Sequence, residues 1–109
     1  MSYSLIATNR FSKEAKRLGK KYGSLKFELA ELLDEIAEHL KSGTPLGRHC
    51  YKFRLGIRSK GKGASGESRV ITYLLDADQT IYLLTIYDKS EKSNILRSEL
   101  EAIVAGLSI

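Results

Sequence analysis

The chain has 109 residues, of which 42% are hydrophobic and 28% are charged, with a single proline. This composition provides enough apolar side chains for one core and excludes an intrinsically disordered chain. No apolar stretch approaches the roughly 20 residues that a membrane-spanning helix needs. The formal net charge of +5 favours an anionic partner, such as nucleic acid, an acidic protein or a membrane surface.

Cys50 is the single cysteine of the sequence, so an internal disulfide is excluded. The sequence offers no Cys/His cluster for zinc and no group of carboxylates arranged for a metal. A lone thiol is typical of a reducing compartment, and the residues after Met1 lack the basic region and long apolar core of a signal peptide. We expect a cytoplasmic protein with one domain over residues 1–109, without a metal, another cofactor or a membrane partner.

The first half of the chain predicts a strand and two helices. The strand covers Tyr3–Ala7, and Thr8 or Asn9 can cap the helix that follows, because their side-chain oxygens accept from free N–H groups. Ser24 can cap the second helix, which Gly43 ends. Apolar residues recur at helical spacing at Phe11, Ala15, Leu18 and Tyr22, and then at Leu25, Leu29, Leu32, Leu33, Ile36 and Leu40.

The second half changes to the period of a strand. Successive segments predict strands over Tyr51–Ile57, Ser68–Leu75 and Thr80–Lys89, with a glycine-rich loop and a short turn between them and a helix over Ser93–Leu107. Consecutive strands with short links favour an antiparallel meander. The predicted class is therefore α+β in the order β-α-α-β-β-β-α, a small antiparallel-dominated sheet with helices on one face. We expect the open face to carry the function.

Basic residues concentrate between Tyr51 and Arg69. Strand alternation places Lys52, Arg54 and Arg58 on one face, opposite the apolar residues of the same strand. Like charges in a row repel, so an anion laid across this face would relieve the repulsion, although a solvated sheet face is an equal alternative. Arg69 starts the next strand and could complete the cluster with bidentate donors, or pair with Glu67.

Lysines in the loop and residues at the end of the last strand extend the candidate site. Lys60 and Lys62 alternate with glycines that let backbone N–H groups approach a phosphate, but the pattern of a nucleotide-hydrolysing loop is absent. Tyr87 could stack on a base, act in proton transfer or simply pack. Lys89 follows it at the exit of the strand.

Four segments together carry a family resemblance. They are Phe11, Lys13 and Leu18-x-x-Lys21-Tyr22; Gly47 and Tyr51-Lys52-Phe53-Arg54-Leu55; Arg58-Ser59-Lys60-Gly61-Lys62-Gly63 through Gly66-x-x-Arg69-Val70-Ile71; and Leu83-Leu84-Thr85-Ile86-Tyr87-Asp88-Lys89-Ser90-Glu91. In this order and spacing, the chain resembles the RelE-like branch of the RelE/ParE superfamily of bacterial type II toxins.

The resemblance implies a microbial RNase-like fold, cleavage of mRNA at the ribosomal A site and inhibition of translation. It implies mRNA and the ribosome as partners, and a cognate antitoxin with an acidic contact surface. By motif position it assigns catalysis to Lys52, Arg54 and Arg69. We add Tyr87 as the fourth catalytic candidate, and Arg58, Lys60, Lys62 and Lys89 as candidates for contact with RNA. Lys52 would take the proton of the RNA 2′-hydroxyl, while the arginines hold the phosphate.

The sequence departs from the RelE pattern after the last strand. That pattern has an arginine close after the strand and a later tyrosine, whereas residues 88–95 here contain neither. Lys89 or Lys92 is then the candidate for the charge, and Tyr87 for the aromatic hydroxyl. Two alternatives stay open: a non-cleaving superfamily member that binds a protein such as DNA gyrase, and a generic RNA-binding module.

Overall fold

The computed structural model describes residues 3–57 and 67–107. Its helices are α1 (Asn9–Lys21), α2 (Leu25–Glu38) and α3 (Arg97–Ala105), and its strands are β1 (Ser4–Ala7), β2 (Thr44–Gly47), β3 (Cys50–Gly56), β4 (Glu67–Leu75) and β5 (Thr80–Asp88). Among these described residues, none of the helices is long and apolar enough to cross a membrane.

The strands form one mixed sheet in the order β1-β5-β4-β3-β2. Strands β2 to β5 pair antiparallel with their neighbours, and β1 joins β5 in parallel at one edge. The α+β class and the predicted meander of β3, β4 and β5 are therefore confirmed.

The two faces of the sheet carry separate apolar clusters. On the first face, α1 and α2 pack through residues such as Leu18 and Ile36 against β3, β4 and β5. On the second face, Leu100 of α3 packs with Ile71 and Leu84. The prediction that all helices cover one face is therefore wrong for α3. After β5 the chain turns and packs the apolar side of α3 against the second face. The second face stays open only where α3 does not reach.

The strand β2 was not predicted from the sequence, so the predicted element order lacks one strand. This four-residue strand reads Thr-Pro-Leu-Gly and shows no alternation that would signal a strand. Pro45 is tolerated because β2 lies at the sheet edge, where a missing N–H breaks no ladder. Before it, α2 ends at Glu38 and a short 3-10 turn covers Leu40–Ser42.

The predicted helix caps have different outcomes. Thr8 caps α1 as expected, because its side chain accepts from the N–H of Phe11 at 3.2 Å. Ser24 precedes α2 but makes no side-chain capping bond, and its hydroxyl donates instead to Glu28 at 2.9 Å. Helix α3 starts four residues later than predicted, because Leu96 before it is extended, with ψ of 149°.

Candidate nucleic-acid interface

Three strands bring candidate site residues of the second face into one row. Arg54 of β3 pairs directly with Arg69 of β4, which pairs with Tyr87 of β5. Directly opposed residues have Cβ atoms about 5 Å apart, so this basic row (Arg54, Arg69 and Tyr87) brings two guanidinium groups and a phenol together. Opposed like charges destabilise a sheet, so folding stability does not explain the arrangement. Arg54 is exposed and can meet an anion from solvent.

Arg69 is the buried cation of the basic row, with 6% of the residue exposed. Its Nη1 donates to Glu67 Oε1 at 3.3 Å and to the Ser68 carbonyl at 3.4 Å. Both distances exceed the about 2.7–2.9 Å of charge-assisted hydrogen bonds, so the guanidinium is weakly held. The Glu67 carboxylate therefore occupies a position that a phosphate oxygen could take.

Tyr87 is buried, at 5% exposure, and packs with Ile95 and Leu100. The Nζ of Lys92 lies 5.4 Å from its ring centroid, so the ring is not free to stack on a base. Its hydroxyl has no hydrogen-bond partner among residues 3–57 and 67–107. Burial raises the pKa of Tyr87, while the positive charge of the Arg69 guanidinium opposes the rise. The hydroxyl therefore stays protonated at neutral pH and could donate.

Lys52 and Lys89 flank the basic row. Lys52 is half-buried two residues before Arg54 on the same strand, and both border a groove of about 290 Å³. The Lys89 N–H donates to the Glu67 carbonyl at 3.2 Å, which fixes this lysine at the start of β4, near the basic row. The predicted RNA-contact residues Arg58, Lys60 and Lys62 lie outside the described residues.

A second hollow, the α3 cleft, has a volume of about 190 Å³ and lies between the β2–β3 hairpin and the start of α3. Its lining residues are Leu46, Arg48, Lys52, Asn94, Ile95, Arg97, Leu100 and Glu101. Arg48 pairs with Glu101 at 3.0 Å, whereas neither Lys52 nor Arg97 forms an ion pair with any described residue. The cleft thus joins an apolar floor to Lys52 and to Arg97, whose charge no described residue neutralises.

Sequence reasoning missed three residues of this cleft, Arg48, Asn94 and Arg97. Arg48 and His49 form the two-residue turn between β2 and β3, with φ of 53° and 65°. Such turns favour Asn-Gly, because left-handed backbone strains other side chains. Gly47 was the one signal of this turn. Asn94 and Arg97 carry no pattern in the sequence, since α3 brings them to the cleft.

A polar cluster fixes the turn that leads from β5 toward α3. The fully buried Asp88 accepts from the Tyr22 hydroxyl at 2.7 Å and from the N–H and hydroxyl of Ser90 at 2.9 and 2.8 Å. Glu91 pairs with Arg17 of α1 at 2.8 Å, and this bond is the main cause of its lowered pKa. The segment that carries Asn94 is thereby anchored to α1.

The described residues hold no group of three or more side chains that could bind a metal ion.

Comparison with known proteins identifies the fold. No protein-family model matches the sequence. Free E. coli toxin RelE with two arginine-to-alanine substitutions matches with a TM-score of 0.65 and 21% identity, over 98% of this chain and 100% of that chain. The intact E. coli RelBE toxin–antitoxin complex matches with a TM-score of 0.59 and 20% identity, over 80% and 96% respectively.

A more distant structure gives the same result. The toxin–antitoxin complex RelBE2 from Mycobacterium tuberculosis matches with a TM-score of 0.50 and 15% identity, over 81% of this chain and 99% of that chain. The chain therefore has the fold of the RelE toxins. The resemblance expected from the sequence is confirmed at the level of the fold.

Proposed function

We propose that this chain is a single-domain cytoplasmic toxin of a type II toxin–antitoxin system. In this proposal it cleaves mRNA at the ribosomal A site without a metal and so inhibits translation. The observation that carries the proposal is the basic row, Arg54, Arg69 and Tyr87, beside Lys52 on one face of a RelE-like sheet. A row of opposed cations with a phenol suits a phosphodiester better than it suits folding.

The proposed reaction is attack of an RNA 2′-hydroxyl on the adjacent phosphodiester. The O2′–H bond breaks, an O2′–P bond forms and the P–O5′ bond breaks, which leaves a 2′,3′-cyclic phosphate and a 5′-hydroxyl. Lys52 takes the proton from O2′ with the lone pair of its neutral amine, since it lies at the accessible end of the site. The charge that develops on the phosphoryl oxygens is the largest demand on the protein.

Two arginines meet that demand from different depths. Arg54 is exposed and contacts the incoming phosphate first. Arg69 lies below the surface, where its field is screened less by water, and its Nη1 exchanges the Glu67 carboxylate for a phosphate oxygen. Because the Arg69–Glu67 contact is long, giving it up costs little interaction energy.

Tyr87 supplies the proton for the leaving O5′ atom. Its hydroxyl is protonated at neutral pH because burial raises its pKa. A buried hydroxyl with no partner among residues 3–57 and 67–107 is uncommon, which supports a role with the substrate. Lys92 above the ring supplies additional positive charge.

The proposed partner is an antitoxin whose contact surface is acidic where it meets the second face. Two of the similar structures are toxin–antitoxin complexes, which supports this partner. The net charge of +5 and the exposed Arg54 provide the complementary surface.

The test is a cell-free translation assay with the full chain and the Lys52→Ala/Arg54→Ala variant. Neither side chain belongs to the apolar cores, so the variant should fold, which circular dichroism checks. We expect wild-type protein and the Lys26→Ala control, which removes an exposed cation on α2, to stop translation, and the double variant to lose this activity. Undiminished inhibition by the double variant would overturn the proposal, and loss of gyrase supercoiling without mRNA cleavage would replace it with the gyrase alternative.

A further inference from the structure

We propose that the α3 cleft is a nucleotide subsite, which holds one base and its phosphate next to the bond that is cleaved. The inference rests on the proposed function and gives the RNA a second point of contact, beyond the basic row. Lys52 lines the cleft and lies two residues from Arg54, so a strand of RNA that crosses the basic row passes its mouth.

The size and floor of the cleft fit one planar ring. An apolar cavity of about 150 Å³ binds benzene, and the cleft measures about 190 Å³. Leu46, Ile95 and Leu100 provide the apolar part, and the last two are buried. The volume is smaller than the roughly 300 Å³ at which sites for drug-sized ligands begin, which excludes a large cofactor as the occupant.

The polar lining fits the remainder of a nucleotide. Asn94 carries a donor and an acceptor on one amide, which can pair with the edge of a base. Arg97, at the first turn of α3, has no ion pair with any described residue and offers two parallel donors to a phosphate. Lys52, the proposed base, lies on the other side and places the cleft next to the attacking O2′.

The backbone of the turn at Arg48 supports a binding role for the residues at the edge of the cleft. Arg48 has a φ of 53°, a conformation that a glycine or asparagine adopts at lower cost. Strain of this kind is retained where the side chain is needed, and here it keeps a guanidinium at the cleft. Glu101 orients that guanidinium through a 3.0 Å ion pair.

An acidic peptide is the competing occupant, because the lining carries three cations and one carboxylate. The apolar floor favours the nucleotide, since a flat ring fills a hollow that a short carboxylate side chain would leave wet. The Asn94 amide also has a use with a base edge that it lacks with a row of carboxylates.

The experiment titrates the full chain with a trinucleotide that carries 2′-O-methyl groups throughout, and follows binding by NMR. This probe lacks the attacking hydroxyl, so binding is measured without cleavage. We expect the largest shifts at Leu46, Ile95 and Leu100, and affinity weakened about fivefold by Asn94→Ala, as for one lost neutral hydrogen bond. Arg97→Ala, which loses charge-assisted bonds to a phosphate, should weaken it by about tenfold or more. The Lys26→Ala control removes the same charge on the opposite side of the sheet and should weaken binding less.

Two results would overturn the inference: equal weakening by Lys26→Ala and Arg97→Ala, or an acidic peptide of equal charge that binds the cleft as tightly as the trinucleotide. The proposed function fails separately. If the chain binds the trinucleotide in the cleft but does not cleave RNA, the subsite is supported and the proposed nuclease activity is contradicted. If the Asn94→Ala and Arg97→Ala variants cleave RNA and bind the trinucleotide normally, the nuclease activity is supported and the subsite is contradicted.

Discussion

At the scale of single residues, the site is assembled from groups that are poorly satisfied in the free protein. Arg54 faces Arg69 across the ladder. Among the described residues, Arg69 has only long contacts to Glu67 and Ser68, and the hydroxyl of Tyr87 has no partner. Each arrangement lowers stability and each would be relieved by a phosphodiester. Substitutions at these positions can therefore separate folding from function.

Tyr87→Phe should keep or raise the free energy of unfolding at pH 8 while it reduces RNA cleavage. The change removes only a buried hydroxyl that has no described partner, and such groups cost about 1–3 kcal/mol. Because burial raises the pKa of Tyr87 in the folded state, the unfolded chain ionises first, and stability falls as the pH rises above about 10. Denaturant unfolding of both proteins between pH 8 and 11 should show a shallower fall for the variant, and a clear loss of stability at pH 8 would contradict this account.

Glu67→Gln should strengthen binding of RNA. The substitution keeps a hydrogen-bond acceptor near Arg69 but removes the charge that competes with phosphate, and we expect about a fivefold gain in affinity for a 2′-O-methyl RNA. Glu38→Gln, an exposed change of the same charge at the end of α2, is the control for net charge. Equal gains in the two variants, measured by fluorescence anisotropy at one salt concentration, would show that Glu67 does not compete.

At the scale of elements, β3 explains both what the sequence predicts and what it does not. Its alternation puts Phe53 and Leu55 in the first core and leaves Lys52 and Arg54 on the second face, so the basic strand could be predicted. The neighbouring β2 has no alternation, because Pro45 and Gly47 interrupt it, and was missed. β2 forms a strand because it pairs with β3, and the local sequence pattern of β2 does not show this pairing.

Gly43→Ala should destabilise the junction between α2 and β2. A Cβ at this position would lie 2.7 Å from the ring of Phe53, which is buried, so the ring or the backbone must shift. Overpacking of this kind costs about 1–3 kcal/mol. Gly19→Ala is the matched change, because a Cβ at Gly19 would meet no atom within 4 Å. This substitution should stabilise α1 by about 0.5–1 kcal/mol. Thermal unfolding should order the proteins as Gly19→Ala, wild type and Gly43→Ala, and a variant at Gly43 as stable as wild type would refute the packing argument.

At the scale of the whole molecule, the candidate site is made where distant parts of the chain meet. The basic row needs three strands in register, and the α3 cleft needs the hairpin at Arg48 to meet α3 at Glu101. The sequence could predict that Arg54 and Arg69 come together, since successive strands of a meander pair as neighbours, but not that Tyr87 lies in register with them. It could not predict the cleft, which depends on α3 returning to the second face, or the burial of Arg69, which strand alternation does not determine.

The central claim is that the basic row, with Lys52, cleaves mRNA. The most direct measurement is primer extension on cellular mRNA after induced expression of the wild-type chain and the Lys52→Ala/Arg54→Ala variant at matched protein levels. We predict new 5′ ends within coding regions that appear with the wild-type chain and are absent with the variant. The same ends with the double variant, or no new ends while the wild-type chain still arrests growth, would contradict the account.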